Sequence, residues 1–125
     1  MYSSFSDVIV SLDVDACVSR IRTYVDLISR ILAEMNNKLF ITEEERNEYR
    51  KRFSRLITEI EWNLNVLESY GINVSRCRAM LGVIKMSIAD AIMSDVSLML
   101  SFTVIFKRVK NFLRELEHAV RERSI

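Results

Sequence analysis

Residues 74–122 read VSRCRAMLGVIKMSIADAIMSDVSLMLSFTVIFKRVKNFLRELEHAVRE. Within them Cys77, Leu81, Ile84, Ile88, Ala91, Asp95, Leu98, Phe102, Ile105, Val109, Phe112, Leu116 and Ala119 recur at alternating spacings of four and three, and Asp95 is the one polar member. A seam of this period is one face of an α-helix that packs against other helices. Read as one helix, the segment is a rod about 73 Å long at 1.5 Å per residue. Read as two, it breaks near Met93-Ser94-Asp95, with Ser94 as N-cap and Met93 and Leu98 as a hydrophobic staple. A compact bundle needs helices of similar length. The favoured reading is therefore two helices, 74–93 and 95–122; the alternative is a single C-terminal helix over 74–122.

Working back from this segment, the chain repeats the pattern twice. Val14, Val18, Ile21, Val25, Ile28, Leu32, Met35 and Leu39 form a seam that predicts a helix over 13–39, opened by Asp13 as cap. Arg22, Asp26, Arg30 and Glu34 make an i,i+4 ladder of alternating charge on its outer side. Tyr49, Phe53, Leu56, Ile60, Asn63, Leu67 and Tyr70, flanked by Ile57 and Leu64, predict a second helix over 43–70. Thr42 and Glu45 have the spacing of a capping box. Gly71 suits a left-handed C-cap, and Asn73 suits the N-cap of the third helix. Residues 1–12 carry no matching seam and read as an irregular N-terminal arm. The expected fold is all-α: an antiparallel four-helix bundle with coiled-coil-like seams, in one domain over 1–125.

Composition points the same way. The 125 residues include no proline and two glycines, and 50% are apolar. Sandwiches and doubly wound α/β folds need many tight turns, and those turns need Gly and Pro. Eighteen basic residues against seventeen acidic ones leave a net charge of +1, so neither nucleic acid nor an anionic membrane is implied by charge. Arginine outnumbers lysine thirteen to five and glutamine is absent, a balance that fits a protein from a hot environment. Residues 1–12 lack the basic start and apolar run of a secretory signal, so the expected location is intracellular, in the cytoplasm. Cys17 and Cys77 lie sixty residues apart and make neither a disulfide scaffold nor a zinc site; they are read as free buried thiols, with a bridge between them as the alternative.

Candidate chemistry is sparse. Glu115 and His118 form an E-x-x-H pair like those that hold metal in di-iron bundles. That site needs a second copy and two further glutamates, and the inward seam of Phe112, Leu116 and Ala119 leaves His118 outside and Glu115 at the edge. Arg114 and His118 stand closer together than the Arg…His pair of the helical HEPN ribonucleases and do not reproduce it. With one histidine and no glycine-rich loop, the chain lacks the parts of a nucleophilic triad or a phosphate cradle. No catalytic residue, metal or cofactor is therefore expected. Arg46, Arg50, Lys51, Arg52 and Arg55 give helix two a basic start that suits nucleic acid. Glu43, Glu44, Glu45 and Glu48 offset it, and pairs such as Glu48–Arg52 and Arg55–Glu59 read as a solvated helix face. Asn63 interrupts the seam where a polar residue can fix register, and Trp62 lies on the outer side. Residues 91–106 are apolar on all sides, yet too short for a membrane span and marked by Asp95.

The outer positions Val83, Met86, Ala89, Met93, Val96, Leu100 and Val104 are apolar as well. A helix in a monomeric bundle needs one apolar stripe, not two. Small residues at Gly82, Ala89 and Ser97 would admit a second helix closely. The expected function is a non-enzymatic structural or protein–protein interaction module acting as a homo-oligomer, most simply a two-fold dimer through this face, with another helical protein as a further partner. The alternatives are a nucleic-acid-associated bundle using the start of helix two and a small metal-binding or hydrolytic bundle using Glu115 and His118.

Overall fold

The structure, a computed structural model, describes residues 5–93 and 98–122, with side chains described for 5–93 and 102–122. Four helices occupy these residues: α1 (Phe5–Asn36), α2 (Glu43–Ser69), α3 (Ser75–Met93) and α4 (Leu98–Glu122). The C-terminal segment is thus two helices, and the single helix over 74–122 is excluded. Residues 94–97, and with them the expected Ser94 cap, lie outside the described residues, as does the side chain of Leu98.

Each helix is amphipathic, and burying all four apolar stripes at once requires a ring. α1 packs on α2, α2 on α3, α3 on α4 and α4 on α1, while among the described residues the backbones of α1 and α3, like those of α2 and α4, stay apart on the diagonals. Cross-helix bonds give the direction. Asp13 meets Tyr70, Arg20 meets Asn63 and Glu34 meets Arg52, so α1 and α2 run antiparallel. Short connections force the same relation on each successive pair.

The seams line the interior. Val14, Ile21, Val25, Ile28, Leu32 and Met35 of α1 are buried, as are Tyr49, Phe53, Ile60 and Leu67 of α2. Cys77, Leu81, Ile84, Ile88 and Ala91 of α3 face Phe102, Ile105, Val109, Phe112, Leu116 and Ala119 of α4 within one core. Removing a large aliphatic or aromatic side chain from water contributes about 1.5–3 kcal/mol, so this core is the main force holding the ring. Asn63 is the one buried polar residue of the described set. Its Nδ2 donates to the Glu59 carbonyl at 2.8 Å, and its Oδ1 accepts from Arg20 Nε at 3.2 Å. The seam position therefore ties α2 to α1 instead of leaving an amide unmet.

The turns follow local chemistry. At the start of α2 the Thr42 side chain accepts the Glu45 N–H while the Glu45 side chain accepts the Thr42 N–H, the reciprocal capping box. At its end Gly71 takes φ 85°. The Gly71 N–H donates to the Glu68 carbonyl and the Ile72 N–H to the Leu67 carbonyl, the Schellman arrangement, with Ile72 and Leu67 both buried beneath it. Asn73 Oδ1 then accepts from the Ser75 N–H at 3.1 Å and opens α3.

Three expectations need correction. Residues 5–12 are helical and not an irregular arm. They contain neither Gly nor Pro, Val10 packs against the core, and a helix already nucleated at 14–35 extends at little cost. Asp13 is consequently not a cap; it accepts the Tyr70 hydroxyl at 2.7 Å. At the other end α1 stops at Asn36, short of 39. The Asn37 and Lys38 N–H groups donate to the Ala33 and Met35 carbonyls, and the turn carries Lys38 to Glu45 and over the Tyr49 ring. Leu39, the last member of the predicted seam, is left fully exposed.

Candidate functional site

The described part of the outer face of α3 is built as the spacing predicts. Cys77, Leu81, Ile84, Ile88 and Ala91 commit one side of the helix to the core. At 3.6 residues per turn, Gly82, Met86, Ala89 and Met93 fall on the other side. All four are exposed, Met86 at 69% and Met93 at 64%. Val83 beside them is 46% exposed, and Val104 of α4 is 45% exposed. Val96 and the side chain of Leu100 lie outside the described residues. Spacings of four, three and four repeat on this outer stripe the rhythm of the inner seam.

Gly82 is the first member of the stripe. It lies within α3 and lacks the positive φ seen at Gly71, so backbone conformation does not call for glycine there. A Cβ built on it meets nothing within 4 Å, so packing within its own bundle does not call for glycine either. A glycine in a helix interior costs about 0.5–1 kcal/mol relative to alanine. What glycine does provide here is a flat backbone surface, open outward, between Met86 and the exposed Ala79.

The basic start of α2 is drawn into the fold. Arg52 reaches Glu34 of α1 at 3.3 Å and lies over the Tyr49 ring, in place of the expected partner Glu48 on its own helix. Arg50 donates to Asn47 Oδ1 and to Met93 Sδ. Arg46 is partly buried, whereas Lys51 and Arg55 are exposed. Tyr49 and Phe53 are buried and not available for stacking on bases. The outer ladder of α1 divides in the same manner. Asp26 and Arg30 pair at 3.0 Å along the helix, while Arg22 crosses to Glu117 of α4 and Glu34 crosses to Arg52.

Glu115 and His118 line a polar cleft at the end of the bundle with Arg76, Asn73 and Glu122. Glu115 faces Arg76 at 3.8 Å and His118 faces Glu122 at 3.5 Å. Among the described residues no group of three or more His, Cys, Asp or Glu side chains is placed to hold a metal ion. Cys17 and Cys77 are buried and free, on helices that lie diagonally across the bundle. Burial, with the nearby Glu115 carboxylate, pushes the Cys77 thiol up to about 11. Trp62 is exposed on α2. No described helix is long and apolar enough to cross a membrane.

A second exposed apolar stripe escaped the sequence reading. Phe5, Val8, Ile9 and Leu12 lie on one side of the first turns of α1 and are 81%, 47%, 43% and 63% exposed. Their spacing of three, one and three is itself a helical signature. It went unread because these residues do not continue the seam that begins at Val14: they sit about half a turn round the helix from it. Comparison with protein-family models, with curated proteins and with solved structures finds no match to the chain.

Proposed function

We propose that this protein is a non-enzymatic interaction module of the cytoplasm that works as a helical homo-oligomer, most simply a two-fold dimer through the outer face of α3. The observation that carries the reading is the second stripe of Gly82, Met86, Ala89 and Met93, exposed and opened by a glycine that its own bundle does not require. Contiguous exposed apolar surface of this kind marks interaction sites. Methionine suits such a surface because its flexible thioether adapts to a partner. Two copies of α3 crossing at Gly82 would bring backbones close and set each Met86 against its counterpart, an isologous arrangement.

Light scattering on the full chain tests this directly. The wild type is expected to be at least dimeric, and the double variant Met86→Glu, Met93→Glu to lose the association made through α3 with unchanged helical circular dichroism. Gly82→Phe, which meets no atom of its own bundle at the Cβ, should block the close approach and give the same result. A wild-type chain that stays monomeric at high concentration overturns the proposal.

A further inference from the structure

We infer that the first turns of α1 are a docking helix that inserts into the groove between α1 and α2 of a second copy of this chain. The inference concerns a different surface from the α3 face and stands without it.

The docking element is the stripe of Phe5, Val8, Ile9 and Leu12. Asp13 is level with Tyr70 at the C-terminal end of α2, so residues 5–12 project past the end of that neighbour. Their stripe points about half a turn away from the core seam, and no folding of the described bundle covers it. Asp13 and Asp15 flank the stripe on either side, and no lysine or arginine precedes Arg20.

The charge selects the occupant. An anionic bilayer or a nucleic acid would be repelled by this aspartate-bordered helix. Self-pairing of two such stripes about a two-fold axis would set Asp13 and Asp15 against their counterparts. The groove between α1 and α2 is the complement. Leu27, Ile31 and Leu56 form its apolar floor, and Arg30, Arg52 and Arg55 border it with Glu34. Arg55 has no carboxylate partner among the described residues, and the pairs Arg30–Asp26 and Arg52–Glu34 are exposed, so both arginines can turn to a further carboxylate at little cost.

The lengths agree too. Phe5 to Leu12 and Leu27 to Glu34 each span about 10 Å along a helix. Both elements belong to one continuous α1, with Leu12 and Leu27 about 22 Å apart on it, so a chain cannot fill its own groove. The contact is therefore between copies: one copy's helix end enters another copy's groove. Recognition follows the helix-in-groove mode, with apolar anchors spaced three and four residues apart.

Complementation tests it. One chain carries Phe5→Asp and Leu12→Asp, which disable the helix end. The other carries Leu27→Glu and Arg55→Glu, which disable the groove. Both also carry Met86→Glu and Met93→Glu, so that association through α3 is not scored. Each alone should be monomeric by light scattering with full helical circular dichroism. Mixed in equal amounts they should form a one-to-one heterodimer, because one intact end then meets one intact groove. Raised salt should weaken it at least about tenfold. A mixture that stays monomeric overturns the inference, as does a helix-end variant that associates as strongly as its parent. Should the aspartate variant lose helix, Phe5→Ala with Leu12→Ala serves in its place. If Met86→Glu with Met93→Glu alone leaves wild-type association unchanged, the α3 reading fails while the mixing result still decides this one.

Discussion

α2 and α3 are neighbours in the ring, joined by residues 70–74, and their inward faces are alike. Ile60 and Leu64 on one and Ile84 and Ile88 on the other are almost completely buried. Their outward faces are opposites. α2 presents Lys51, Ser54, Arg55, Thr58 and Glu59 to solvent, and α3 presents Gly82, Val83, Met86, Ala89 and Met93. Inward character decides how a helix folds with its own chain, and outward character decides whether it is finished when it has done so. By that measure α2 is complete except at Trp62 and along the groove it shares with α1, whereas α3 leaves a whole stripe unfinished.

The inner faces should respond equally. Ile60→Ala and Ile84→Ala each remove a buried side chain and should each lower stability by about 2–5 kcal/mol in chemical denaturation. A much smaller loss at Ile84 would break the equivalence and mean that α3 is only loosely seated. The outer faces should respond unequally. Met86→Glu with Met93→Glu should weaken association through α3 at least about 100-fold, whereas Ser54→Glu with Thr58→Glu on α2 should leave that association unchanged. Equal effects would remove the distinction between the helices.

The two glycines sharpen the comparison further. Gly71 adopts φ 85° at the end of α2, so Gly71→Ala should cost about 1 kcal/mol through backbone strain alone. Gly82 is helical with open space at its Cβ. In the Met86→Glu, Met93→Glu background Gly82→Ala should therefore stabilise by about 0.5–1 kcal/mol. Thermal denaturation should show opposite signs for one chemical change. The smallest expected effect is on pH. The Lys38 ammonium and the Thr42 cap hold the Glu45 carboxyl down at about 2, below its ordinary 4.5. A lowered carboxyl stabilises the folded state above about 4.5, and that contribution is lost as pH falls towards 2. Glu45→Gln should flatten this part of the stability profile, and Ser54→Gln should not.

The bundle was legible because burial acts on periodicity. Val14 through Met35 could be read as a seam since a buried helix face must repeat near 3.5 residues. The capping box at Thr42 and the turn at Gly71 were readable because their chemistry is local. The end of α1 was not. The apolar rhythm runs on to Leu39, but where a backbone leaves the helix depends on Lys38 reaching Glu45 across the turn, and period carries no information about that. Phe5 to Leu12 were missed for a related reason: searching for a continuation of one seam hides a stripe on the opposite side. Ion pairing was the least legible layer. Arg52 had Glu48 one turn away in sequence, yet it reaches Glu34, a partner that exists only once α1 and α2 are docked. The apolar character of Met86 and Met93 could be read, and their exposure depended on which side of α3 the core would take.

Three of the four contacts in the ring join helices consecutive in the chain, and only α4 against α1 joins distant ones. Nearly all of the folding search is thus local. Each hairpin closes a short loop, and the entropy lost in loop closure grows with loop length. Low contact order of this kind goes with folding in microseconds to milliseconds. The single expensive closure is the last, when α4 returns to α1 and Glu117 meets Arg22. Substitutions at that seam should act on a late step, leaving the three hairpins free to form first; two of them do not involve α4, so a nascent chain can hold α1, α2 and α3 in register before α4 has been made.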